Sequence, residues 1–268
     1  MKCAFLICVY GKDDVCHLDE ALASVITFSQ TKHYEINIYL HVDGKVSQQH
    51  LDVINKINPY KIIHSKNNVG LAIGLNKLIE QLEDEEYIFR MDADDICCED
   101  RIALQVQYLE ENNDVDLLGG SIEEFVGSQE NIVAYRNYPS LASAYYLPKG
   151  SPFAHVTICF RKRFFEKFGC YPINYPLNED IALWGKALLM GAVGHNIPDT
   201  LVKVRMDSAY SRRTFKKASS ELRVYLKICK DLKVLPIYPI ARFIFRLLPI
   251  SIVESVYRSD VRNSFLKS

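Results

Sequence analysis

Residues 60–95 read YKIIHSKNNVGLAIGLNKLIEQLEDEEYIFRMDADD, and this stretch decides the fold. Residues 60–64 are strand-like. Over 70–82, Leu71, Leu75, Leu78 and Ile79 recur on one side at helical spacing, and 87–91 is a further short apolar run suited to a buried strand. The same rhythm extends toward the N-terminus. A short apolar run at 4–10 precedes helical spacing over 18–30 (Leu18, Leu22, Val25, Ile26), then a β-branched strand at 36–42 and a second helix at 47–57. Strands and helices taking turns in this way predict an α/β fold, a mainly parallel sheet with helices on both faces, and ligands at the carboxyl ends of the strands.

The strand at 87–91 ends in Asp92-Ala93-Asp94-Asp95, and Glu99-Asp100-Arg101 opens a helix running to about residue 112. Three carboxylates in four residues repel one another unless a cation or backbone donors meet them. Asp92 and Asp94, two apart across a turn, can face one point, and hard oxygen ligands suit Mg²⁺ or Mn²⁺, which complete their shells with water and phosphate. The same acids would also serve as a solvated turn at a helix N-terminus, where Asp95, Glu99 and Asp100 favour the dipole. A second acidic pair, Glu179-Asp180, precedes an amphipathic helix over 181–190 that carries the single tryptophan, Trp184. One reading makes the acids caps and Trp184 core. The other lets a carboxylate accept a proton from a substrate hydroxyl while the indole stacks on a sugar face.

Composition narrows the function classes. With 268 residues, 49% apolar and 24% charged, the chain has material for one large core, or one and a half small ones. A net charge of -1 gives no support to a general nucleic-acid binder. Charge is unevenly spread: residues 201–268 hold 15 basic and 5 acidic side chains, a net of +10, leaving -11 for 1–200. Such a tail seeks an anionic partner. The eight cysteines form no CxxC pair and no zinc spacing, and read as reduced, buried thiols of a cytosolic protein. Met1-Lys2 with the run to Tyr10 imitates a signal peptide but breaks at Gly11-Lys12-Asp13-Asp14, and is expected to be a first buried strand. No run reaches the roughly eighteen apolar residues of a spanning helix, so no integral membrane segment is expected.

Taken in order, Val9-Tyr10, Val42-Asp43-Gly44, Asn67-Asn68-Val69-Gly70 with Asn76, Asp92-Ala93-Asp94-Asp95 with Arg101, and Asn178-Glu179-Asp180 with Trp184 resemble the inverting glycosyltransferases of family 2 over about residues 3–206. The resemblance implies a GT-A fold over 1–206, with a nucleotide-sugar half (1–100) and an acceptor half (101–206). It implies Val9 and Tyr10 beside the base, Asp43 on uracil or ribose, Asn68 and Gly70 in the donor loop, and Asp92, Ala93 and Asp94 at the ribose, metal and diphosphate. Asp95 and Arg101 would lie near the donor sugar and its phosphates. Asp180 would be the base that deprotonates an acceptor hydroxyl, with Glu179 and Trp184 lining the acceptor side, and one displacement would invert the anomeric centre. Strand two ends in His41-Val42-Asp43-Gly44-Lys45 where members usually have an acidic pair, Gly and Ser. Arg205-Met206-Asp207 stands where members often have Arg-x-His, which makes Asp207 a candidate third metal ligand. His155 is a candidate for the acceptor cleft or a structural histidine.

Residues 207–268 are expected to form a basic helical extension. After a helix over 211–233, Arg242 and Arg246 share one face of a further helix, with Phe243, Ile244, Leu247 and Leu248 on the other. This composition suits an interfacial helix on an anionic leaflet, or else a hairpin docked on the domain with a basic rim. The combined expectation is a Mn²⁺- or Mg²⁺-dependent hexosyltransferase at the cytoplasmic face of the membrane. It takes a UDP-hexose or UDP-N-acetylhexosamine, and its acceptor is a saccharide, carried on a polyprenyl diphosphate, in bacterial surface polysaccharide assembly. Homodimerisation through the C-terminal helices stays open. A nucleotidyltransferase of similar sheet, and a non-catalytic nucleotide-sugar binder at the membrane, are the alternatives.

Overall fold

The structure, a computed structural model, describes residues 1–29, 33–207 and 214–248. The N-terminal half alternates β1 (Lys2–Tyr10), α1 (Val15–Ser29), β2 (Glu35–Asp43), α2 (Gln48–Ile57), β3 (Lys61–Ser65), α3 (Leu71–Ile79) and β4 (Tyr87–Met91). These strands pair parallel in the order β3-β2-β1-β4, so their carboxyl ends open on one edge. Then follow β5 (Ile96–Cys97), α4 (Arg101–Glu111), β6 (Leu117–Phe125), β7 (Ile132–Arg136), β8 (Leu141–Ala142), β9 (Cys159–Arg161), α5 (Lys162–Phe168), α6 (Glu179–Leu189) and β10 (Gly194–Arg205). Here the sheet is mixed: β9 runs antiparallel to both β4 and β6, β10 is parallel to β6, and β5, β7 and β8 pair antiparallel at the margins. The parallel expectation therefore holds for the first four strands and for β6 with β10, while short return strands break it elsewhere.

Side-chain alternation on β1 builds the two cores. Cys3, Phe5, Ile7 and Val9 face α1 and α4, packing with Leu18, Leu22, Val25, Ile102 and Val106. Ala4 and Leu6 face the opposite side, against Leu75, Leu78, Leu183 and Trp184. Both faces of β1 are thus covered, which is why its sequence is a continuous apolar run and not an alternating one.

The C-terminal extension is part of this packing. In α7 (Phe215–Leu232), Val224, Tyr225 and Ile228 are buried in the second core. Gly185 on α6 permits the approach, since a Cβ there would stand 2.8 Å from Ile228. The last described helix, α8 (Ile237–Leu247), lies on α7, and here the face assignment changes. Arg242 and Arg246 turn inward: Arg246 Nε lies 2.5 Å from Glu221 Oε2, and Arg242 stacks 4.6 Å from the centre of the Tyr225 ring. The basic stripe is therefore spent on α7, and Ile237, Ile240, Ile244 and Leu247 are exposed instead. Residues 208–213 and 249–268 of the expected extension lie outside the described residues. Among the described residues no helix is long and apolar enough to cross a membrane. All eight cysteines are free; Cys3, Cys97, Cys159 and Cys229 are buried, but Cys16, expected to be buried, is exposed.

Candidate active site

The carboxyl ends of β1, β2 and β4 and the start of α6 carry the expected residues. Val9 is fully buried in the core under the first loop, while Tyr10 is 41% exposed at the edge and its N–H donates to Asp13 Oδ2 at 2.8 Å. Asp43, at the end of β2, is buried and bivalent: Oδ1 accepts from the Val69 N–H at 2.7 Å and Oδ2 from the Gly70 N–H at 2.9 Å. Its carboxylate therefore clamps the 67–70 loop. Gly44 is required beside it, because it adopts φ +86° and a Cβ would meet Asn68 N at 2.9 Å. Asn68 is exposed on that loop, and Gly70 caps α3 at φ +91°.

Beyond β4, the carboxylates of Asp92, Asp94 and Asp95 each place an oxygen within 4.8 Å of the others. Asp95 is buried and accepts from the Arg205 N–H at 2.9 Å. Burial first, then the charges of Asp92 and Asp94, hold its carboxyl well above the usual range. Two half-exposed hard-oxygen ligands with a third beneath them are a donor set that suits a divalent cation. Ala93 is buried between them. Arg205, from β10, braces the turn: Nε donates to the Asp94 carbonyl at 3.1 Å, and Nη2 pairs with Glu20 at 2.5 Å. Asp207 is not in the cluster; it is exposed, and Oδ1 accepts from the Gly127 N–H at 3.0 Å.

Two residues expected at the ligand face inward. Arg101 is fully buried, donating Nη2 to the Arg90 carbonyl at 2.9 Å and Nε to Gln105 at 3.1 Å, and it stacks over Phe5 and Phe89 at 5.6 Å from each ring centre. Its donors satisfy the backbone between β4 and residue 158, so it is a core cation and not a fork for phosphates. Trp184, one turn after Asp180, is also fully buried, packed on Phe153, His155 and Phe160. It is a core anchor and offers no face to a sugar.

The acids before Trp184 do sit at a helix start. Leu177 holds φ +68°, a conformation costly for a branched side chain, and Asn178 donates to the Lys217 carbonyl at 3.2 Å, tying α6 to α7. Glu179 is 8% exposed, and burial followed by the charge of Asp180 pushes it up to about 7. Asp180 is more open; burial raises its pKa while the Ile181 N–H, Lys217 and Arg90 oppose the rise. His155 pairs through Nε2 with Tyr171 Oη at 2.8 Å, and burial and Arg90 hold it well below its ordinary value, so it is neutral. Tyr171 is anchored in turn by Asn76, whose amide accepts from its N–H and donates to its carbonyl, both at 2.9 Å.

Residue-type reasoning left Arg90 and Tyr171 without a role. Arg90, buried on β4, pairs with Asp92 and lies close enough to Glu179 and Asp180 for its charge to lower both. Its charge is felt by Asp95 as well, so one buried cation acts on acids from both groups. The only sequence signal was its position two residues before Asp92 on an otherwise apolar strand.

The glycosyl transferase family 2 model matches residues 5–169. The chain belongs to glycosyl transferase family 2. Two relatives are similar over nearly their whole length. An uncharacterized glycosyltransferase of Haemophilus influenzae is 33% identical across 98% of this chain and 100% of its own. The UDP-Gal:alpha-D-GlcNAc-diphosphoundecaprenol beta-1,3-galactosyltransferase of Escherichia coli is 31% identical across 97% of each. Among solved structures, S. aureus TarS 1-349 in complex with UDP-GlcNAc superposes with a TM-score of 0.66 at 14% identity, covering 97% of this chain and 74% of that one. The glycosyltransferase accordingly has a GT-A fold, and family membership sets aside the nucleotidyltransferase alternative.

Proposed function

We propose that this glycosyltransferase moves a hexose or N-acetylhexosamine from a UDP-sugar to a saccharide carried on a polyprenyl diphosphate, with inversion, during assembly of a bacterial surface polysaccharide. The observation that carries the reading is that one buried cation, Arg90, pairs with Asp92 of the Asp92, Asp94 and Asp95 cluster and also lies close enough to Glu179 and Asp180 for its charge to lower both. The galactosyltransferase relative, named for UDP-Gal and a diphosphoundecaprenol acceptor, and TarS, solved with UDP-GlcNAc, support the choice of donor and acceptor class.

In this reading Val9, Tyr10 and Asp43 border the nucleoside, Asn68 and Gly70 form the donor loop, and Asp92, Asp94 and Asp95 would hold Mn²⁺ or Mg²⁺, while Asp207, outside that cluster, is not among the ligands. A cation held there would supply positive charge to offset what gathers on the departing diphosphate. Asp180 takes the proton from the acceptor hydroxyl as its oxygen forms a bond to the anomeric carbon, and the bond from that carbon to the UDP oxygen breaks with its electron pair leaving on UDP. Attack from the face opposite the leaving group inverts the centre. Glu179 and His155 line the acceptor side. Residues 1–206 form the catalytic domain and 207–268 its extension.

The cytoplasmic face of the membrane is the proposed location, with an anionic leaflet as the partner of α8. The exposed row Ile237, Ile240, Ile244 and Leu247, with Leu235 beside it, offers apolar area, and the net charge of +10 over 201–268 complements anionic headgroups. The test incubates the purified protein and Mn²⁺ with UDP-glucose, UDP-galactose or UDP-GlcNAc and polyprenyl-diphosphate-linked monosaccharides. The expected result is a disaccharide lipid from one donor, β-linked by NMR. An α-linked product would contradict the single displacement, and no product with any donor would contradict the substrate class.

A further inference from the structure

Arg90 lies on β4 opposite Leu6 of β1, on the sheet face that carries Ala4 and Ile88. Only 2% of it is exposed. One nitrogen, Nη2, is paired with the Asp92 carboxylate, while Nε and Nη1 have no hydrogen-bond partner among the described residues. A buried guanidinium with two unspent donors is a costly choice where an apolar strand residue would pack well. What it supplies and a leucine would not is a fixed arm on Asp92. That carboxylate has Asp94 and Asp95 within 4.8 Å, and their repulsion would otherwise turn it away from the point where the three oxygens converge. Asp92 keeps 36% of its side chain exposed, so Arg90 grips it from within without covering it.

We infer that Arg90 is a positioning residue that acts through Asp92: from beneath the cleft it holds this carboxylate where a divalent cation and the donor's diphosphate meet it. The inference rests on the cation-dependent transferase reading above. Outer-shell partners of metal-binding carboxylates fix the orientation of the ligand, and their loss weakens binding of the loaded ligand without touching the rest of the pocket.

The test titrates UDP into the full-length protein by calorimetry, once with Mn²⁺ and once with EDTA, for wild type, Arg90→Lys and Arg90→Met. Wild type is expected to bind UDP more tightly with Mn²⁺. Both variants are expected to lose about tenfold or more of that gain, with affinity in EDTA within about twofold of wild type because the nucleoside side is untouched. A proportional loss in both conditions makes Arg90 a mere fold support and overturns the inference. So does an undiminished Mn²⁺ gain, or failure of both variants to fold while Asp92→Asn folds. If wild type itself shows no Mn²⁺ gain, the cation-dependent reading fails first and the inference falls with it.

Discussion

Glu179 and Asp180 are neighbours with different chemistry. Glu179 is closed in and pushed up to about 7, whereas Asp180 is more open and senses Lys217 and Arg90. Asp180→Asn removes the proton acceptor at unchanged shape. The transfer rate should fall by roughly 10²–10⁴, with UDP affinity preserved; a variant that transfers at the wild-type rate would make the protein a binder or place the base elsewhere. Glu179 makes a separate statement about stability. Because its folded pKa lies above its unfolded value, the native state holds the extra proton between about 4.5 and 7, and stability from this group is lost as pH rises through that window. Glu179→Gln should therefore raise the melting temperature more at pH 8 than at pH 5. Equal gains at the two pH values would show that the burial argument is wrong. Trp184 illustrates where residue-type reasoning misled. An indole four residues after an acid matches both a sugar platform and a core anchor, and only the helix's rotation against Phe153 and Phe160 decides for the core. Arg101 misled in the same way, since a helix-start arginine next to acids can turn to solvent or to the backbone beneath.

At the scale of elements, loops at the strand ends are braced by side chains whose partners are distant in sequence. Asp43 reaches across to Val69 and Gly70, and Asn76 to Tyr171. Asp43→Ala leaves two N–H groups of the 67–70 loop without acceptors and should cost about 1–3 kcal/mol of stability, together with a weaker affinity for UDP. Unchanged chemical denaturation would contradict the clamp. These pairings were not legible in the sequence, because the periodicity of each element says which face is buried but not which loop is within reach. Strands, by contrast, were legible: 87–91 agrees with β4, and the apolar runs at 4–10 and 36–42 lie inside β1 and β2. Helix α8 was legible as amphipathic but not in its orientation. Glu221 on α7 draws Arg242 and Arg246 inward and leaves the isoleucines out. Replacing Ile240, Ile244 and Leu247 together by Ser should leave the melting temperature nearly unchanged, since these residues are exposed, and should reduce co-sedimentation with vesicles rich in anionic phosphatidylglycerol. Undiminished co-sedimentation would show that α8 is not the lipid contact.

Over the whole molecule, two apolar faces of one sheet divide the labour. The parallel half gathers the strand ends that carry Asp43 and Asp92, and α6, packed in the second core, carries Asp180 within reach of the charge of Arg90 on β4. The fold class and the acidic groups could be read from the chain because parallel strands buried on both sides are continuous apolar runs that end where ligands bind. The mixed half could not, because β5, β8 and β9 are two or three residues long and have no period of their own. If the strand-end acids form a cation-dependent UDP site, UDP binding depends on both Mn²⁺ and Asp94. Calorimetry with UDP, GDP, CDP and dTDP, each with Mn²⁺ and with EDTA, on wild type and Asp94→Ala tests it most directly. Tight binding of UDP alone, dependent on Mn²⁺ and lost in Asp94→Ala, is expected; equal binding of all four nucleotides, or UDP binding indifferent to both Mn²⁺ and Asp94, would rule such a site out.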